Sequence, residues 1–147
     1  MDKDAVVTSL VEALASVPDP RSRHGRRHPL NAIFRQTLAA MLCGAQSLSA
    51  IYQWGRLQDV ETVRALGYTR DKTLSLSRLH DIYSALDVEE LERVLAQWAQ
   101  EHLGEDHIAI DGKAVCGTWG KETPGLQLVA AYAVRAGLVL AQKGGTA

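Results

Sequence analysis

Residues 107–142 read HIAIDGKAVCGTWGKETPGLQLVAAYAVRAGLVLAQ, and the reading of this stretch decides the fold class. It holds three short apolar runs, HIAID (107–111), LQLVAAYAV (126–134) and LVLAQ (138–142), with Gly and Pro in the gaps. Runs of four to nine apolar residues bounded by such breakers have strand length. The pattern predicts three consecutive strands. Arg135, Ala136 and Gly137 then form a connection short enough to pair the last two antiparallel.

Upstream of this stretch the apolar period changes to that of helices. Val7, Leu10, Leu14 and Val17 recur at steps of three and four, and Pro18 and Pro20 stop the pattern. Ile33, Phe34, Leu38, Met41 and Leu42 mark a second helix behind Pro29, with Gly44 as its terminator. Ser47 can cap a short helix that ends at Gly55, Asp59 one that Gly67 closes, and Ser75 or Ser77 one containing Leu79, Ile82, Tyr83 and Leu86. Asp87 opens the clearest helix, with Glu90 in capping-box position and Val88, Leu91, Leu95, Trp98 and His102 along one face as far as Gly104. The expected class is therefore α+β: a helical domain over 1–104, then the first three strands of an incomplete sheet over 105–147.

Composition supports a globular core, since 46% of the 147 residues are apolar. The formal net charge of -1 gives no overall attraction to a polyanion, but its distribution is uneven. Seven basic side chains face four acidic ones up to Leu57, and nine face thirteen from Gln58 onward. The opening MDKDAVVTSLVEAL carries acids where an export signal carries basic residues, and no apolar run approaches a membrane span of about 18 residues. A cytoplasmic location is expected. Cys43 and Cys116 have no zinc-type spacing and read as reduced thiols.

Two segments carry candidate chemistry. Asp111 follows Ile108 and Ile110 at alternating positions, which puts a carboxylate at the end of a strand, where a buried charge needs a partner or a metal ion. An Asp-Gly turn opener explains the same residue. The second segment, DPRSRHGRRHP (19–29), holds Arg21, Arg23, Arg26, Arg27, His24 and His28 with one acid. Four guanidinium groups there can neutralise phosphates and release counterions; a solvated basic loop is the alternative. Without interleaved aromatics the loop offers phosphate contact and no base readout. The helix pair from Asp59 to Leu86, with Arg70, Lys72 and Arg78, has roughly helix-turn-helix dimensions, but Asp71 and Asp81 oppose phosphate and generic packing is favoured. Trp54 and Trp98 lie on apolar stripes and read as core, and His102 and His107 have no companion ligands.

The runs HPLNAIFRQTLAAMLCGAQSLSAIYQWGR, LHDIYSALDVEELERVLAQW and IAIDGKAVCGT, in this order, resemble the amino-terminal part of H-repeat-associated insertion-sequence transposases, a branch of the DDE transposases. The resemblance spans about Asp19 to Gln142. It implies a helical associated domain followed by a ribonuclease-H-like catalytic domain, with Asp111 as the first metal-binding acid of the catalytic triad. It also implies that Lys113 lies near the incoming phosphate, although an exposed turn lysine explains that residue equally well. Cys116 stands where the family more often carries Arg.

Such enzymes use two magnesium ions to activate the attacking oxygen and stabilise the leaving one, which takes several carboxylates. Glu122 is the only acid after Asp111, and its position does not suit that task. The expectation is a truncated copy: inactive alone, without a metal cofactor as it stands, and DNA-associated at insertion-sequence ends through Arg21, Arg23, Arg26, Arg27, His28 and Lys113. It can also pair with itself or an intact transposase. The competing expectation is a protein-interaction remnant, or a regulator of an intact transposase, without DNA binding of its own, for which an open sheet edge offers the contact.

Overall fold

A computed structural model describes residues 3–22, 28–102 and 119–145. Seven α-helices are present among them: α1 (Lys3–Leu14), α2 (Leu30–Leu42), α3 (Leu48–Arg56), α4 (Val60–Ala65), α5 (Leu76–Ala85), α6 (Val88–His102) and α7 (Pro124–Gly145). The helix starts follow the short polar residues that precede them. Ser47 accepts from the Ala50 amide at 3.0 Å, Asp59 from Thr62 at 2.7 Å, Ser75 from Arg78 at 3.3 Å and Asp87 from Glu90 at 3.2 Å. Each bond satisfies an amide that the helix itself leaves without a partner. At α4 the Thr62 amide and hydroxyl hold the Asp59 carboxyl below the usual carboxylate range. At α6 the Glu90 carboxylate engages Arg93 at 2.9 Å, one turn along.

Helix α2 ends in a Schellman motif. Gly44 takes φ +104°, its amide donates to Met41, and the Ala45 amide donates to Ala40 at 2.9 Å. The chain reverses there, which lays α3 back against α2. The core forms where these helices meet: Leu10 and Leu14 of α1, Ile33, Phe34 and Leu38 of α2, Ile51 of α3, Leu79 and Tyr83 of α5, and Leu91, Leu95 and Trp98 of α6 are all buried.

The expected α+β class, with three strands in an incomplete ribonuclease-H-like sheet, does not hold. The described residues contain no strand, and the runs LQLVAAYAV and LVLAQ belong to one 22-residue helix, α7. Leu126, Val129, Ala130 and Ala133 are buried at steps of i, i+3, i+4 and i+7, a helical face. A strand would put Leu126 and Ala133 on opposite faces. Several forces favour the helix: Pro124 occupies the first helical position, Thr123 accepts from the Leu126 and Gln127 amides, and Ala130, Ala131 and Ala133 are strong helix formers. Arg135, Ala136 and Gly137, read as a turn, continue the helix. The run HIAID and the boundary expected at 104/105 lie outside the described residues.

Helix α7 packs on α6, α2 and α5, so its buried face completes the same core. At its start Gly125 approaches α5 closely: a Cβ there would stand 3.1 Å from the Tyr83 carbonyl oxygen. Just before it, the Glu122 carboxylate accepts from the Leu48 amide at 3.0 Å and ties this approach to the first turn of α3. No helix among the described residues is long and apolar enough to cross a membrane.

Candidate nucleic-acid interface

The arginine-rich segment, residues 19–29, follows the turn after α1 and precedes α2, and its two ends are built from described residues. Pro18 and Pro20 prevent α1 from continuing, and Asp19 between them bonds within the base of the loop. Its carboxylate takes a fork from Arg21: Nε to Oδ1 at 3.0 Å and the terminal nitrogen to Oδ2 at 2.8 Å, while the Arg21 amide also donates to Oδ1 at 3.0 Å. The other terminal nitrogen of Arg21 reaches across the loop to the His28 carbonyl at 2.6 Å. Arg21 therefore closes the loop at its base.

The pair is largely shielded, with side-chain exposures of 9% for Arg21 and 17% for Asp19. A planar guanidinium matches a carboxylate in this bidentate way where an ammonium cannot. Arg23, Arg26 and Arg27 lie outside the described residues, as do Asp111 and Lys113.

His28 fixes the other end of the loop. Its ring meets Tyr68 edge to face, with centroids 5.3 Å apart at 73°. The Tyr68 hydroxyl donates to Gln36 Oε1, and Gln36 Nε2 donates to the Ile51 carbonyl at 3.1 Å. Gln36 is fully buried and crosses α3 at Gly55, where a Cβ would stand 2.4 Å from its Nε2. The absence of a side chain at position 55 is what makes room. A second buried bond joins Thr37 Oγ1 to the Tyr83 hydroxyl at 2.6 Å. Burial pushes both tyrosine hydroxyls well above their ordinary range, so they remain protonated donors.

Of the other residues singled out by sequence, Arg78 lines a cleft with Pro20, Arg21 and Ser22. Arg70, Lys72 and Arg78 are exposed on the 68–86 segment, where Asp71 pairs with Arg64 at 2.8 Å. Helix α4 has six residues, too short for the first arm of a helix-turn-helix of ordinary size. Trp98 is buried as expected, and Trp54 is partly buried against the core. His102 stacks on Trp98 at 5.0 Å, and both bond Ser9 of α1. Cys43 is exposed and unbonded. No group of three or more His, Cys, Asp or Glu side chains among the described residues could hold a metal ion.

Sequence reading counted Arg21 with the phosphate-contacting arginines and missed its carboxylate partner. The Asp-Pro-Arg run directly after Pro18 was the available signal. Tyr68 and Gln36 carried none, because their bonds join residues 32 positions apart.

The profile of the DDE_Tnp_1-associated family matches residues 11–99, from the second half of α1 to α6, and so takes in the loop and the network beneath it. The chain belongs to this family. Two curated relatives, both named "Putative transposase YncI" and both from Escherichia coli, are similar to this DDE_Tnp_1-associated chain. The K12 and O157:H7 proteins are each 28% identical to it over 141 residues. These residues are 92% of this chain but 56% and 36% of the two relatives, so the DDE_Tnp_1-associated chain spans about half of their length or less. No solved structure gives a significant match. The resemblance to transposases read from the ordered motifs is thus supported by both kinds of relative.

Proposed function

We propose that this chain is the DNA-associated part of a DDE-type insertion-sequence transposase of the H-repeat-associated branch, and that its 147 residues alone do not cleave DNA. The observation that carries the reading is the family match over the helices that anchor the arginine-rich loop at both ends. Arg23, Arg26 and Arg27 supply the positive charge for phosphates at insertion-sequence ends, and His28 and Lys113 are further DNA contacts. Asp111 serves as the first of several carboxylates that would hold magnesium, its companions coming from the part of the transposase that this chain does not span. The described residues contain no acidic set for that ion. The setting is the cytoplasm, where the chain can also meet a second copy or an intact transposase.

The test is a mobility-shift titration against terminal inverted repeats at two salt concentrations. Binding that weakens steeply with salt is expected, and each of Arg23→Ala, Arg26→Ala and Arg27→Ala should lower the salt slope by about 0.9. Salt-independent or absent binding overturns the reading. Magnesium-dependent nicking by the purified chain, lost in Asp111→Ala, overturns the claim of inactivity. The competing reading as an interaction remnant drew on an open sheet edge, and the described residues offer no strand to form one.

A further inference from the structure

Arg21 has the composition of a phosphate contact and the geometry of something else. Its guanidinium is spent on Asp19 and on the His28 carbonyl, and 9% of its side chain is exposed. A phosphate that approached it would compete with a carboxylate already seated 2.8 Å away, and the pair carries no net charge. Across a cleft of about 220 Å³, α5 presents Arg78 and Asp81, again of opposite sign, so the described residues lining this cleft carry no excess of positive charge beyond the Arg21–Asp19 pair. What Arg21 does is bring residue 28 back to residue 19.

We propose that Arg21 is a positioning residue, which with Asp19 clamps residue 28 against residue 19, so that a polyanion meets a basic segment whose two ends are already fixed in place. The inference rests on the DNA-binding reading above. Fixing both ends before binding removes part of the ordering cost that the complex would otherwise carry. Asp19, an acid in a polyanion-binding segment, thereby favours binding of the polyanion.

That sign is the test. Duplex DNA carrying a terminal inverted repeat is titrated with wild-type protein, Asp19→Asn and Arg21→Lys over a range of salt. The clamp predicts roughly three- to tenfold weaker binding by both variants, with the salt slope unchanged. A directly contacting Arg21 predicts the reverse: Asp19→Asn binds as tightly or more tightly because a negative charge is gone, and Arg21→Lys stays near wild type because its charge is kept. Arg21→Ala would then also lower the slope by about 0.9. Either of these results overturns the proposal.

Limited trypsin digestion separates the clamp from the DNA reading. The clamp predicts faster cleavage between residues 21 and 28 in Asp19→Asn, at an unchanged thermal melting temperature. Faster cleavage in a protein that binds no DNA keeps the clamp and discards the DNA reading. Unchanged cleavage discards the clamp whatever the DNA result.

Discussion

The Glu122 carboxylate accepts a hydrogen bond from the Leu48 amide across 74 residues of sequence, at the amino-terminal end of α3. Ser47 already serves the Ala50 amide of the same turn, so side chains from two distant segments share the amides that α3 leaves open. The carboxylate also sits where the helix dipole favours negative charge. Glu122→Ala should cost about 1–2 kcal/mol, and Glu122→Gln less, because an amide oxygen can still accept. Urea unfolding of both variants measures this; equal losses would assign the whole effect to the charge, and no loss in either would mean that the bond to Leu48 contributes nothing.

Gly55→Ala should be among the most damaging single-methyl changes in the chain. A Cβ 2.4 Å from Gln36 Nε2 and 2.9 Å from its Cδ forces the amide away from Ile51 and Tyr68. Overpacking typically costs about 1–3 kcal/mol, and an orphaned buried polar group adds a similar amount. In a double-mutant cycle Gln36→Ala should recover part of the loss. Strict additivity of the two changes would show that they do not touch.

The helical reading of α7 separates two valines. Val129 is 1% exposed and Val134 44% exposed. Val129→Asp should abolish cooperative thermal unfolding, because a buried carboxylate has no partner there, while Val134→Asp should change stability by no more than about 0.5 kcal/mol. Circular dichroism of the Val134 variant should keep the wild-type helical signal. Comparable damage from both would contradict the face that Leu126, Val129, Ala130 and Ala133 define.

Tyr68 and Tyr83 make stability depend on alkaline pH. Burial raises both hydroxyls above the value of about 10 that they have in the unfolded chain. A group whose folded value is raised contributes its stability in full below the unfolded value and loses it as pH rises from there. Unfolding should therefore become easier above about pH 10, and phenolate absorbance should show these two tyrosines titrating together with loss of structure. Tyr83→Phe removes its share of the pH dependence and costs about 1 kcal/mol at neutral pH, since Thr37 keeps its bond to the Ile33 carbonyl. Free titration of all tyrosines in the folded protein would refute this.

The helical front was legible because its signals are local. Ser47, Asp59, Ser75 and Asp87 cap the helices their spacing suggested, and most of each stripe between Leu10 and Trp98 is buried, with Met41, Leu42 and Val88 half-buried. Residues 126–142 misled because Val, Leu and Tyr at alternate positions fit a buried strand, while the alanines between them fit a buried helix equally well. What decided for the helix was tertiary: α6, α2 and α5 present an apolar surface that a helical face of small and branched residues covers. At the basic loop, composition counted Arg21 among the phosphate-contacting arginines. Only geometry shows that its charge is answered by Asp19.

The fit of Gln36 over Gly55 sets a rule for how this chain can drift. A side chain at position 55 is admissible only once position 36 has shortened, and shortening 36 strands the Tyr68 hydroxyl unless that residue becomes phenylalanine. Three positions spread over 33 residues of sequence are thus expected to change as a set, and no single step along that route is neutral.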